Sequence, residues 1–130
     1  MKLNRMLVVM SACTSSGSDV ANTNKLRMRL HDEGLRFDEA EGCYKGVAEA
    51  SFVVQCANFS QVGDLVNMAD SYEQESVMLV DARNKAFLLY CKGCTMKSLG
   101  YIQMKDMSVP GTALPEVAYT KVGDYVYYTI

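Results

Sequence analysis

The residues of this chain that could do polar chemistry are few, and they form no familiar catalytic set. There is no Ser-His-Asp arrangement, no GxxxxGKS phosphate loop and no HExxH pair. His31 is the one histidine, so no metal site is expected. Cys91-Lys92-Gly93-Cys94 has the CxxC spacing, but it follows an apolar run instead of opening a helix and has no second pair; a pair of strand-end thiols is the expectation. The five cysteines, Cys13, Cys43, Cys56, Cys91 and Cys94, are an odd set for a disulfide framework, and reduced, mostly buried thiols are expected. What remains is Tyr44, Glu49, the polar run Ser15-Ser16-Gly17-Ser18-Asp19 and the triplet Glu73-Gln74-Glu75. Taken alone, Tyr44 reads as strand packing, Glu49 as a solvated strand-end charge and the triplet as the end of a helix.

The elements that must hold these residues follow from periodicity and punctuation. Met6 to Ala12 reads as a first strand, and Thr14 to Asp19 as a polar loop with natural helix caps. A helix is expected from Val20 to Glu33, with Gly34 as its stop. The stretch Arg36 to Ala48 is ambiguous, with a turn at Glu41-Gly42 leading into a strand at Cys43-Tyr44. Ser51 to Cys56 is a continuous β-branched and aromatic run; Asn58 and Ser60 then cap a helix carrying Val62, Leu65, Val66, Met68, Ala69 and Tyr72. Ser76 to Val80 and Ala86 to Tyr90 are strands about a turn at Asp81 to Asn84. The order is β-α-β-β-α-β with an added hairpin strand, which predicts an α+β fold, a ferredoxin-like sandwich. Leu99 to Met104, Glu116 to Lys121 and Tyr125 to Thr129 read as extra C-terminal strands, separated by Pro110-Gly111 and Val122-Gly123 turns.

Composition narrows the function classes. A length of 130 residues without a linker or repeat predicts one domain over 1–130. Apolar and charged shares of 49% and 22% argue against disorder and against a coiled coil. A formal charge of −2, with Lys and Arg scattered, leaves no basic footprint for nucleic acid and is too small for an acidic mimic of DNA. The start of the chain, with a basic Met1 to Arg5, a short apolar run and Cys13, has the look of a lipoprotein signal. The apolar run is short for a signal and suits a buried strand, so export is not expected; an intact Met1 in the purified protein would dispose of a lipoprotein. No stretch approaches the ~20 apolar residues of a membrane span.

Several short motifs occur in one order. Ser11-Ala12 follows the first strand, then come Asp19-x-x-Asn22, Gly42-Cys43-Tyr44, and Glu49 leading into Phe52-Val-Val-Gln-Cys56. Glu73-Gln74-Glu75 precedes Val77-Met-Leu-Val80, and Leu88-Leu-Tyr90-x-Lys92-Gly93 closes the series. From about Val8 to Gly93 this pattern resembles the phage S-adenosylmethionine lyases, formerly called hydrolases. The resemblance implies a ferredoxin-like, PII-like α/β sandwich with an antiparallel sheet, assembled as a homotrimer with active sites between subunits. It implies cleavage of S-adenosylmethionine to methylthioadenosine and homoserine lactone without a cofactor, in the host cytoplasm, as a phage counter-defence that depletes the methyl donor. It also implies catalytic roles for Tyr44 and Glu49 and substrate contacts from Ser11, Ser16, Asp19, Asn22, Gln74 and Glu75. The segment between Tyr44 and Glu49 is shorter than in relatives, some of which have paired acids where this chain has Ala48-Glu49, and Tyr72 stands where a relative has tryptophan.

The implied reaction needs few groups. The substrate's carboxylate can attack the carbon bearing the sulfonium, so the enzyme must chiefly hold a bend; enforcing such a conformer is worth on the order of 7–11 kcal/mol in the best intramolecular cases. Anion and cation neutralise each other in this step, so a dry cleft raises the ground state more than the transition state. Glu49 is then expected to position the substrate through its amino group or ribose, and Tyr44 to stack on the sulfonium or adenine. Two other readings stay open: a non-catalytic, PII-like trimeric nucleotide-binding regulator, and hydrolysis to homoserine with Glu49 as the base.

Overall fold

The computed structural model describes residues 6–13, 19–44, 47–93, 95–115 and 118–130. In chain order the elements are β1 (Met6–Met10), α1 (Asp19–Asp32), β2 (Phe37–Tyr44), β3 (Val47–Cys56), α2 (Phe59–Ser71), β4 (Ser76–Val80), β5 (Lys85–Tyr90), β6 (Met96–Asp106), β7 (Ala118–Val122) and β8 (Tyr125–Thr129). The first six keep the expected β-α-β-β-α-β order.

Local chemistry explains most element ends. Asn58 is extended (φ −156°, ψ 170°) and its side chain accepts from the Gln61 N–H at 3.0 Å, while Gln61 Oε1 accepts from the Ala57 N–H at 2.7 Å. Donors at the start of α2 that would otherwise lack partners are thus satisfied from both directions. Each helix buries one stripe: Thr23, Leu26 and Leu30 on α1, and Val62, Leu65, Met68 and Ala69 on α2.

The sheet closes on itself in the order β1-β3-β2-β7-β8-β6-β5-β4, with β4 returning to β1 and every pairing antiparallel. The expected ferredoxin-like, PII-like α/β sandwich is therefore incorrect: the described residues form a closed antiparallel barrel of eight strands carrying two helices. The cause lies in the C-terminal third. Gly42 of β2 pairs with Thr120 of β7, and Met104 of β6 pairs with Tyr127 of β8, so the β7–β8 hairpin joins two strands that an open sheet would leave as edges. Closure removes the unpaired backbone groups of both edges. β6 bends far enough because its register shifts opposite Ala86 and Phe87, beside Gly100. Gly100 has φ +95°, and a Cβ there would overlap the Ile130 carbonyl.

The two faces of the sheet differ in burial. Val8, Met10, Phe52, Val54, Val77 and Leu79 are buried in one cluster with the apolar stripes of α1 and α2. The residues between them, Val9, Val53, Met78 and Leu88, alternate toward the lumen and are only half-buried. The main apolar core thus lies outside the ring, between sheet and helices, while the lumen face buries Val80 and Ala86 and stays partly accessible at Val9, Val53, Met78 and Leu88.

A second correction concerns Gly42. The sequence places it in a turn, but β2 runs straight through it, and Gly42 faces Glu49 in the β2–β3 ladder. A Cβ on Gly42 would stand 2.7 Å from Ser51 Oγ, so the glycine leaves room for a neighbouring hydroxyl instead of bending the chain.

Candidate active site

The candidate site forms where β1 runs out of ladder. Its last pair with β3 is Met10–Phe52, and its last with β4 is Val9–Met78. Beyond these, Ser11 to Cys13 continue between the two neighbouring strands, and a recess of about 130 Å³ opens. Val9, Met78 and Leu88 give it an apolar floor, and Ser11, Glu49, Ser51, Gln74 and Ser76 give it a polar rim.

Glu49 is exposed over much of its length. Its carboxyl is nonetheless held above the usual carboxylate range, first by partial burial and second by the negative charge of Asp19 in the first turn of α1. Ser11 is buried, and its hydroxyl is committed on two sides: Oγ donates to the Ala50 carbonyl at 2.8 Å and accepts from the Cys13 N–H at 3.0 Å. The Cys13 thiol also reaches the Ala50 carbonyl, at 3.7 Å.

Gln74 owes its place to the way α2 ends. Tyr72 N–H bonds the Ala69 carbonyl, and Glu73 adopts the left-handed conformation (φ 61°), returning the Gln74 N–H to the Ala69 carbonyl at 3.0 Å. This is the helix-stop geometry in which glycine is the usual occupant. Gln74 Nε2 then donates to the Cys13 carbonyl at 2.6 Å. Both of its near neighbours, the Cys13 and Tyr72 carbonyls, are acceptors, which assigns the nitrogen to them and the amide oxygen to the other side.

On the far side of Gln74 lies a larger cavity of about 680 Å³, lined by Asp70, Glu73, Gln74, Glu75, Tyr90, Lys92 and Thr95. Ligand pockets span roughly 300–1,000 Å³, so the Glu49 recess alone holds only part of a nucleoside-sized molecule.

The structure therefore brings Ser11, Glu49 and Gln74 into one recess and sets Asp19 within electrostatic reach of Glu49. Glu75 lines the larger cavity instead. The Tyr44 backbone pairs with Val47 and Ala118 at the end of the β2–β3 hairpin, two positions along the ladder from Glu49. Asn22 is half-buried one turn beyond Asp19 and lines neither cavity. Ser16 lies outside the described residues. Tyr72 caps α2 and packs on the core, with the Arg29 guanidinium 5.7 Å from its ring centroid. Ser51 and Ser76 were not anticipated as rim residues; strand alternation carries the signal for Ser51, which follows Glu49 by two positions and shares its face.

Cys13, Cys43, Cys56 and Cys91 are free thiols, and Cys94 lies outside the described residues. Burial pushes Cys56 up to about 11, and burial together with the Asp70 charge raises Cys91, so neither favours the thiolate that metal or redox chemistry requires. No group of described residues could hold a metal ion, and no described helix is long and apolar enough to cross a membrane.

A concave, acid-bearing recess at the end of a barrel strand, with an apolar floor and a few convergent polar groups, is the architecture of a domain that handles small molecules. The model of the S-adenosylmethionine lyase family matches residues 8–130, and the chain belongs to that family. It is an S-adenosylmethionine lyase, with S-adenosylmethionine as its substrate. No curated protein matches the chain.

Proposed function

We propose that this lyase splits S-adenosylmethionine into 5'-methylthioadenosine and L-homoserine lactone by attack of the substrate's own carboxylate. The carboxylate oxygen bonds the carbon that carries the sulfonium, the carbon–sulfur bond breaks, and its electron pair leaves with sulfur. No proton or water enters the step. The observation that carries this reading is the Glu49 carboxyl on the rim of a recess with an apolar floor, raised by partial burial and by the negative charge of Asp19. The repulsion between these two acids is relieved by a cation, and the substrate brings an ammonium and a sulfonium. A carboxylate against the sulfonium would stabilise the starting charge more than the vanishing one, so Glu49 is assigned to the amino group or the ribose. Tyr44 is assigned to stacking and Ser16 to a substrate contact, Asp19 and Asn22 to the α1 side of the substrate, and Gln74 and Glu75 to the opposite wall.

The raised Glu49 carboxyl also favours one competing chemistry, in which Glu49 acts as a general base on water and homoserine forms directly. Turnover in heavy-oxygen water separates the two, with products sampled before the lactone opens. Unlabelled lactone as first product is the expected result; labelled homoserine from the outset, with no lactone detectable, would reassign Glu49 as the base.

The recess is smaller than the substrate, which supports a site completed by a second subunit of a homotrimer. Val47, two residues before Glu49, is 69% exposed and suits such a contact. Light scattering on the purified chain is expected to give three times 14.4 kDa, and a strict monomer with full turnover would remove the shared-site reading. The biological role we assign is phage counter-defence in the host cytoplasm, by depletion of the methyl donor.

A further inference from the structure

The geometry points to Ser11-Ala12-Cys13 as a strut that sets the separation of the two walls of the recess, with the Ser11 hydroxyl and the Gln74 amide nitrogen acting as positioning groups for Glu49. The inference rests on the lyase reading above and concerns how its site is held.

In the barrel, β1 lies between β3, which carries Glu49, and β4, which Gln74 precedes. Backbone pairing holds these walls only as far as Met10–Phe52 on one side and Val9–Met78 on the other. Past that point the role of the ladder passes to side chains. Toward β3, Ser11 Oγ donates to the Ala50 carbonyl at 2.8 Å, one residue from Glu49. Toward β4, Gln74 Nε2 donates to the Cys13 carbonyl at 2.6 Å. The Cys13 N–H, bonded to Ser11 Oγ at 3.0 Å, closes the link between the two anchors. The walls are thus tied through one short hydrogen-bonded segment.

Such a strut matters because intramolecular attack depends on a held bend, where a wall displaced by about 1 Å can cost on the order of 100-fold in rate. Ser11 is buried and its hydroxyl is already engaged by the backbone on both sides, which suits holding the wall better than gripping the substrate. Loosening the strut should therefore lower kcat more than it raises KM.

The test is steady-state turnover of S-adenosylmethionine by the wild-type chain, Ser11→Ala, Ser11→Cys, Gln74→Met and the Ser11→Ala/Gln74→Met double variant, with a melting curve for each. Ser11→Ala is expected to lower kcat about 10-fold or more with KM within about twofold, and Ser11→Cys, which keeps a weak donor, to recover part of the loss. Because both groups tension one strut, the double variant should lose less than the product of the single losses. Unchanged kcat in folded Ser11→Ala, a loss confined to KM, or a double loss equal to the product of the singles would overturn the proposal. A wild-type chain that leaves S-adenosylmethionine intact would instead defeat the lyase reading itself, so the two failures are distinguishable.

Discussion

Glu49→Gln is expected to lower turnover on the order of 100-fold while leaving the melting temperature at neutral pH unchanged or higher. The loss follows from its place on the recess rim, where it is the carboxylate assigned to the substrate. The stability half follows from the direction of its shift. Partial burial and the Asp19 charge raise the folded-state carboxyl above its unfolded value, so the native chain holds that proton more tightly than the unfolded chain does. The resulting contribution to stability is present in acid and is lost as pH rises through the folded value. Glutamine carries no such charge, so wild type should melt no higher than the variant at neutral pH and gain on it toward acid. Paired melting curves across pH, with product assays on the same samples, check both halves. Full activity in Glu49→Gln would move the working carboxylate to Glu73 or Glu75, in the larger cavity.

Phe52→Ala is expected to cost about 3–5 kcal/mol, a large part of the ~5–15 kcal/mol that holds a domain of this kind together. Phe52 is 1% exposed and is first among the fully buried side chains by volume. Its ring meets Phe37 edge-on with centroids 5.6 Å apart, and the Arg27 guanidinium lies 5.7 Å from its centroid while pairing with Glu39. Truncation removes the ring's contacts with Phe37 and the Arg27 guanidinium of α1 and leaves a cavity that rigid strands cannot fill. Urea unfolding should show a lower midpoint with an unchanged slope. Phe52→Leu should lose clearly less, and a loss below about 1 kcal/mol in Phe52→Ala would mean that the helix-facing layer is not the principal core.

Much of the candidate site was legible because its signals are local. Glu49 and Gln74 belong to short ordered motifs, and Asn58 announces the start of α2 through cap chemistry that spans a few residues. Gly42 was legible as special but not as to why: a glycine in a turn and one that leaves space for a cross-strand hydroxyl look alike until Ser51 is placed beside it. Ser11 illustrates the same limit. A serine at a strand end reads as a substrate contact, whereas its partners, the Ala50 carbonyl and the Cys13 N–H, become known only when β1 is set against β3.

Residue order alone determined the strand and helix succession through β4, the free thiols of the described cysteines, and the family pattern, because periodicity, caps and motifs act over a few neighbouring residues. Tertiary structure alone decided that the sheet closes. β2 and β6 carry the same apolar and polar alternation whether they are edges or are paired, and only the β7–β8 hairpin, made possible by the bend of β6 at Gly100, gives both strands partners. It also decided that Glu49 and Gln74 line one recess, since strands far apart in sequence are brought together by backbone pairing that leaves no local trace in side-chain order.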